Sequence, residues 1–442
     1  MAVRSENMVI SFNIGTTMIR QVAAGAISLI LSIFLARSLG AEGNGIYNLA
    51  MLLPVLLGQF FNLGIGPANV YHIAKGEISL RAVARVTFNL WLILTIIGLL
   101  IGSSVIYCYR ATFFPNIPIT LLILGLGIYP IVLMQLLSVS ILQGLQDFKH
   151  FNLVLILNPL STLILAFVFI RFLADVPIWA LTAFGLAQLI IVVMSWIFIF
   201  QHFSLNPQAP NLSGSDYRKT LSFGWKSHLT NLLGFLNYRI DLLLINMLMQ
   251  ASAAGIYIVA VNLVEKLWLL SQAVSTILYP KLASLHQDEK KRNLLTLFIT
   301  KVSFILTILA SILVLLLATP VIRILYGVDF IGAIKALFLL LPGIIAGSVG
   351  RIISNDMSAR GRPELNLYVG IVSVILNVGA NLILIPRYGI NGAALATSFS
   401  YCVNTIIRLF IYKRFSGVGV LAPLLFGRAD WRRLLRIVNE FR

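Results

Sequence analysis

The residues of this 442-residue chain that could do chemistry are charged side chains inside long apolar segments. Seven of these are singled out: Arg20, Arg239, Asp241, Glu265, Lys266, Arg351 and Asp356. An ionisable group at mid-bilayer costs at least about 2.5 kcal/mol, so each is a candidate for function. Cations outnumber carboxylates in this set. That surplus predicts an anionic ligand such as a phosphate, which an arginine can bind through two N–H groups at once.

The spacing of these charges leaves two interpretations open. Arg239 and Asp241 are two residues apart and so lie on different helix faces. Asp241 could pair with Lys266, and Arg239 with Glu265, as structural ion pairs that fix helix packing. The alternative is a water-filled cavity between two halves of the protein, in which the four cations bind substrate. Arg20 has no carboxylate in its own segment and is the preferred substrate contact.

The elements that must position these residues are predicted to be membrane-spanning helices. Hydrophobic residues make up 59% of the chain and charged residues 11%, whereas a soluble domain carries about 25% charged residues. A spanning helix needs roughly 20 apolar residues, and the runs here do not alternate with period two, which excludes a β-barrel. The sequence predicts an all-α polytopic membrane protein. Twelve spans are expected, at about 11–36, 45–70, 84–107, 118–145, 151–173, 177–202, 220–249, 254–280, 295–322, 332–357, 364–386 and 391–413.

The basic excess indicates orientation and not nucleic-acid binding. The chain has 33 Lys+Arg against 15 Asp+Glu, and the loop cations divide 22 to 6 between the two sides of the predicted membrane. Cytoplasmic loops carry the basic excess, so both termini are expected in the cytoplasm. No P-loop is present, the five histidines lack metal-ligand spacing, and Cys108 and Cys402 form no disulfide framework. No metal, cofactor or enzymatic activity is therefore predicted.

The chain divides near its midpoint. A polar, Pro- and Asn-containing segment at 204–219 is predicted to be a cytoplasmic linker between six-helix lobes at 1–203 and 220–415. The remainder, 416–442, is predicted to be a basic tail, and within it 430–442 has the pattern of an amphipathic helix suited to the cytoplasmic leaflet.

Three pairs of matching segments indicate an internal repeat. Gly45-Ile46-Tyr47 matches Gly255-Ile256-Tyr257, and Leu157-Asn158 matches Leu376-Asn377. The third match ends the fourth and tenth spans, at Gly144 and Gly361. Six spans is an even number, so both halves insert with the same topology, as in transporters that rock one half against the other around a central substrate.

These residues also resemble a known family. Residues 36–47 (ARSLGAEGNGIY) are similar to the ARxLGxxxxGxY signature of polysaccharide flippases, and residues 237–241 and 376–401 are similar to other parts of the same proteins. The family is the Wzx-like oligosaccharide flippase branch of the multidrug/oligosaccharidyl-lipid/polysaccharide (MOP) exporters. The resemblance covers about residues 10–415.

The resemblance implies a V-shaped, MATE-like fold of two six-helix lobes in a bacterial inner membrane. It implies an undecaprenyl-diphosphate-linked oligosaccharide as substrate, carried to the outer leaflet for polysaccharide assembly, and a polysaccharide polymerase as a partner. Ion coupling in the family makes Asp241 and Glu265 candidates for binding H⁺ or Na⁺.

Three other classes of protein fit the sequence less well. A cation-coupled multidrug exporter of the same superfamily would prefer carboxylates in the first lobe, where this chain has Arg20 and no mid-span acid. A membrane-bound polymerase or ligase would need a long outward loop with polar catalytic residues. A channel would need a selectivity-filter-like repeat, and the sequence has none.

Overall fold

The computed structural model describes residues 2–174, 176–203, 214–269, 271–272, 282, 288–425 and 427. These residues form helices and connecting turns, with no strand among them, which confirms the predicted all-α class. The predicted amphipathic tail segment, 430–442, lies outside this part of the chain. Twelve α-helices are given within these ranges: α1 Ala2–Phe61, α2 Ile65–Lys75, α3 Leu80–Phe113, α4 Ile119–Gly144, α5 Phe148–Phe172, α6 Pro177–Phe203, α7 Gly214–Leu248, α8 Ala251–Glu265, α9 Glu289–Val321, α10 Ala333–Ala359, α11 Pro363–Tyr388 and α12 Ile390–Ser416.

Helix α1 joins the first two predicted spans through a kink. At Gly40 the backbone leaves the helical region (φ 67°, ψ −177°), a conformation that glycine adopts without steric cost. The prediction of a second span over 45–70 was wrong at its end, because the helix stops at Phe61 and a new helix begins at Ile65. The turn between them is made by Leu63 and Gly64, which both have positive φ.

Nine helices in the described residues are long and apolar enough to cross a membrane. Their most apolar segments have mean hydropathies of 1.4–2.7, and large apolar side chains such as Leu100, Leu316 and Ile375 are about two-thirds exposed. In water such a surface would be unfavourable, so its natural neighbour is lipid. Helix α7 does not meet the same criterion, because charged residues interrupt it, and the apolar helix α8 has only 15 residues.

The chain forms two compact units. The first consists of Met1–Val259 with Ile322–Gly332, and the second of Ala260–Val321 with Ala333–Arg442. The predicted lobes at 1–203 and 220–415 stay a prediction. Helix α7 begins at Gly214, inside the segment predicted to be a linker.

The core of the first unit is built around α4, which packs against α1, α2, α3 and α6. Tyr129 of α4 is fully buried, and its hydroxyl donates to the Leu94 carbonyl of α3 at 2.8 Å. In the second unit α10 packs against α9 and α12, with a buried cluster of Val349, Ile353 and Leu409 between them. Each unit thus has its own apolar interior that holds its polar side chains in place.

The repeated Gly-Ile-Tyr segments meet inside the first unit. A Cβ on Gly45 would overlap the Ala251 carbonyl oxygen, and a Cβ on Gly255 would overlap the Ala41 carbonyl oxygen. The contacting residues are four apart on each helix, at 41 and 45 on α1 and at 251 and 255 on α8. Asn44 Nδ2 also donates to the Gly255 carbonyl at 3.0 Å. Helices α1 and α8 therefore cross at backbone contact, which two glycines permit.

The second matched pair also acts in helix packing. In the first unit Asn158 exchanges two hydrogen bonds with Gln188 of the next helix, at 3.1 and 3.3 Å. In the second unit Asn377 donates to Thr397 of the next helix at 3.5 Å. Repeat-equivalent asparagines thus join consecutive helices in both units, as polar residues in membrane helices commonly do.

Candidate functional site

Helix α1 carries a polar face on which Arg20 lies. Thr17, Arg20 and Gln21 are at i, i+3 and i+4, so they project from one side of the helix. Asn152 of α5 donates to Thr17 Oγ1 at 3.2 Å, so this side faces α5. The polar face is thus positioned by a helix pair within the first unit.

Within the described part of the chain, three polar atoms of this face lack a hydrogen-bond partner. They are the buried atoms Arg20 Nε, Gln21 Oε1 and Asn152 Oδ1. A buried polar atom in that state costs about 1–3 kcal/mol, and most such atoms in native proteins are satisfied by protein, water or ligand. No described carboxylate pairs with Arg20. The face can therefore accept a ligand that brings both acceptors for Arg20 and donors for the two amide oxygens.

Helix α7 contributes Arg239 and Asp241. Asp241 is 3% exposed, and its Oδ2 accepts a hydrogen bond from Tyr257 of α8 at 2.6 Å. Its Oδ1 accepts from the Leu242 backbone N–H at 2.8 Å. Arg239 is partly buried on the same helix. Tyr257 is a partner that the charge pattern did not suggest, because its hydroxyl carries no charge.

Glu265 and Lys266 belong to the second unit and lie where helix α8 ends. Glu265 is the last residue of the helix, and Lys266 begins the turn that follows it. Both side chains are partly buried. The continuous span predicted over 254–280 is therefore interrupted at this turn, and residues 273–280 lie outside the described part of the chain. The predicted pairs of these residues with Asp241 and Arg239 stay predictions.

Arg351 lies on α10 and stacks on an aromatic ring. Its guanidinium carbon is 5.2 Å from the centroid of the Trp268 ring, which is the geometry of a cation–π contact. Trp268 is buried, and its indole N–H donates to the Ile344 carbonyl at 3.1 Å. Sequence reasoning missed Trp268, since a tryptophan in an apolar helix is ordinarily a packing residue.

Asp356, late in α10, belongs to a different and structural cluster. It is fully buried, accepts from Thr296 Oγ1 at 3.0 Å and pairs with Arg360 Nε at 2.5 Å. Arg360 also contacts Glu289 and Asn293 at the start of α9. The cluster ties the end of α10 to the start of α9, and all of its main groups are satisfied.

Arg408 of α12 is a partly buried cation that sequence reasoning left out. Its guanidinium donates to Asn404 at 2.8 Å, to Asn366 at 2.7 Å and to the Gly350 carbonyl at 3.4 Å. An arginine inside the predicted span 391–413 was the available signal. Its several protein acceptors identify it as a residue that holds α10, α11 and α12 together.

Arg20 and Arg239 thus lie in the first unit, and Lys266 and Arg351 in the second. Their shared role in one cavity stays a prediction. No group of three His, Cys, Asp or Glu side chains in the described residues has the arrangement of a metal site.

The apolar helices define a polytopic helical membrane protein. The chain belongs to the polysaccharide biosynthesis protein family, whose model matches residues 34–335. The resemblance predicted from residues 36–47 and 237–241 is thereby confirmed at the level of the family.

Individual relatives agree with this assignment. A probable low-salt glycan biosynthesis flippase of Haloferax volcanii, Agl15, is 28% identical over 232 residues. The match covers 49% of each chain, so this chain spans about half the length of that curated relative.

Solved structures show the fold. The lipid II flippase MurJ in an inward closed conformation has a TM-score of 0.74 at 17% identity, covering 90% of this chain and 87% of that one. An inward-facing multidrug resistance MATE family transporter of the MOP superfamily has a TM-score of 0.70 at 16% identity, covering 92% and 98%. The predicted MOP-type fold is confirmed.

Proposed function

We propose that this protein is a flippase that moves a lipid-linked oligosaccharide across the membrane by alternating access, for surface polysaccharide assembly. The supporting observation is the unsatisfied hydrogen-bond donor of Arg20. Its Nε is buried in an apolar helix without any protein partner, and a diphosphate linker between lipid and sugar would bring anionic acceptors to it. Gln21 and Asn152 beside it leave oxygen atoms that sugar hydroxyls could satisfy.

The relatives support the same class of activity. Agl15 is a probable flippase of low-salt glycan biosynthesis, and MurJ is a lipid II flippase. For this chain we infer an undecaprenyl-diphosphate carrier, a bacterial inner membrane location with both termini in the cytoplasm, and a polysaccharide polymerase as a partner. The 22 to 6 division of loop cations supports the orientation.

We propose four cations as substrate-binding residues: Arg20, Arg239, Lys266 and Arg351. Arginine suits the role because its planar guanidinium binds phosphate through two parallel hydrogen bonds and stays charged when partly buried. Lysine acts beside it as a point charge.

Replacing Arg20 or Arg239 by alanine is expected to lower surface polysaccharide by about tenfold or more, because charge-assisted hydrogen bonds to the substrate are lost. The test is complementation of a flippase-deficient strain, with polysaccharide quantified and membrane insertion checked by immunoblot. Arg85→Ala is the matched control, since Arg85 is exposed at the start of α3. Wild-type polysaccharide levels in both Arg20→Ala and Arg239→Ala would contradict substrate binding by these two arginines and would show that they serve only in helix packing. Drug resistance in place of polysaccharide would favour the multidrug exporter.

Energy coupling is assigned to Asp241 or Glu265, with H⁺ or Na⁺ as the ion. Asp241→Asn keeps the size of the side chain and its contact with Tyr257 but removes the charge. We expect glycolipid flipping in proteoliposomes to lose its dependence on an imposed ion gradient. Glu265→Gln tests the second candidate in the same way. Retention of gradient dependence in both variants would contradict this assignment.

A further inference from the structure

One face of α10 carries a second set of donors without acceptors. Arg351 and Asn355 are four residues apart, so they project from the same side of the helix. Asn355 Nδ2 is buried and has no hydrogen-bond partner. In the part of the chain that the structure describes, Arg351 makes no hydrogen bond or ion pair, and its contact is with the ring of Trp268.

Trp268 is held in place on several sides. Its indole N–H donates to the Ile344 carbonyl, its ring lies 5.4 Å from the ring of Tyr401, and it is 5% exposed. Gly347, one turn before Arg351, lies against the same ring, and a Cβ there would be 3.0 Å from Trp268 Cζ2. The ring is therefore a rigid platform beneath the guanidinium.

The cation–π contact with Trp268 uses no N–H group of the Arg351 guanidinium in a hydrogen bond, so these groups are available as donors. Arg351 and Asn355 then offer donors from one helix face, and neither donor has a protein acceptor. A ligand shared by the two must bring acceptor oxygens, and the positive charge of Arg351 favours anionic ones.

We propose that Arg351 and Asn355 bind one phosphate group of the lipid-linked substrate, and that Trp268 is the positioning residue for Arg351. This inference rests on the proposed flippase function and extends it by two residues, Asn355 and Trp268, that neither the charge pattern nor the family resemblance identified.

The test is binding of a short-chain polyprenyl diphosphate to the full-length protein in nanodiscs of neutral phosphatidylcholine. Asn355→Leu is expected to weaken binding by about tenfold, because one hydrogen bond to a charged oxygen is lost. Its melting temperature should stay the same or rise, since an unsatisfied buried donor is replaced by an apolar group of similar size. Wild-type affinity in Asn355→Leu would overturn the assignment of this residue.

Trp268 is tested by two substitutions. Trp268→Leu should weaken binding by about three- to tenfold, and Trp268→Phe, which keeps an aromatic face, should restore most of it. An equal loss of binding affinity in both variants would show that Trp268 contributes packing alone and does not position Arg351 through its aromatic face. Gly379→Ala in α11 is the control, because a Cβ there meets open space.

Two further arms separate the sources of the phosphate and the two proposals. If anionic phosphatidylglycerol in the nanodisc displaces the polyprenyl diphosphate from wild type but not from Asn355→Leu, the site binds phospholipid head groups, and the substrate assignment is overturned. Complementation by wild type is measured separately. Failure of complementation would overturn the proposed flippase function. Successful complementation, with unchanged polyprenyl diphosphate binding in Asn355→Leu and Trp268→Leu, would overturn only the proposed phosphate site.

Discussion

Gly255→Ala is expected to prevent accumulation of folded protein or to lower its melting temperature by more than about 5 °C. The added Cβ would overlap the Ala41 carbonyl oxygen and lie 2.7 Å from the Gly45 backbone nitrogen. Both are main-chain atoms of α1, so relief requires the two helices to separate. Overpacking of a side chain against side chains costs about 1–3 kcal/mol, and a clash with main chain is harder to relieve.

The measurement is a thermal melt of detergent-solubilised protein followed by size-exclusion chromatography. Gly45→Ala should behave in the same way, because its Cβ would meet the Ala251 carbonyl. Gly234→Ala in α7 is the control, since a Cβ there has no neighbour within 4 Å and alanine favours a helix by about 1 kcal/mol over glycine. A stable Gly255→Ala protein would show that α1 and α8 do not cross at backbone contact.

Asp356→Asn is expected to lower the free energy of unfolding by about 3 kcal/mol. We expect no other loss of a single charge in the second unit to destabilise the protein more. The carboxylate is fully buried and pairs with Arg360, whose side chain is 6% exposed. Removing one partner of a buried pair leaves the other charge uncompensated, at a typical cost of 3–5 kcal/mol. Glu289 offsets part of this cost, because it also contacts Arg360 at 3.4 Å.

The matched control for Asp356 is Glu364→Gln on α11. Glu364 pairs with Arg362 at 3.6 Å, but both side chains are about half exposed, and exposed pairs contribute at most about 1 kcal/mol. Thermal melts of the two variants should therefore differ clearly. The double variant Asp356→Asn/Arg360→Met should recover part of the loss, since it removes the unpaired cation. Equal melting temperatures for Asp356→Asn and wild type would contradict the buried ion pair.

Much of the fold could be predicted from the sequence, because lipid imposes a simple rule. Backbone groups inside a bilayer must be satisfied within the segment, so a long apolar run has to be a helix. Helices α4 and α6 accordingly begin and end within one residue of their predicted bounds. The rule gives no information on breaks, and the kink at Gly40 and the end of α1 at Phe61 depend on local backbone geometry.

The candidate site was predictable only in part. Residue type and depth suffice to single out Arg20 and Arg351, because a cation in an apolar run is rare whatever its partners. Partners follow from tertiary packing, which places Tyr257 beside Asp241 and Trp268 beside Arg351. For the same reason the sequence could not separate Arg408, which is held by two asparagines, from Arg20, which has no partner.

The crossing of α1 and α8 has the symmetry of the internal repeat. Ala41 lies against Gly255, and Gly45 lies against Ala251. In the internal repeat, which has an offset of 210 residues here, Ala251 corresponds to Ala41 and Gly255 corresponds to Gly45. Such reciprocity is the defining property of an isologous interface between identical subunits. Two copies of a chain half as long could therefore make this glycine contact with each other symmetrically.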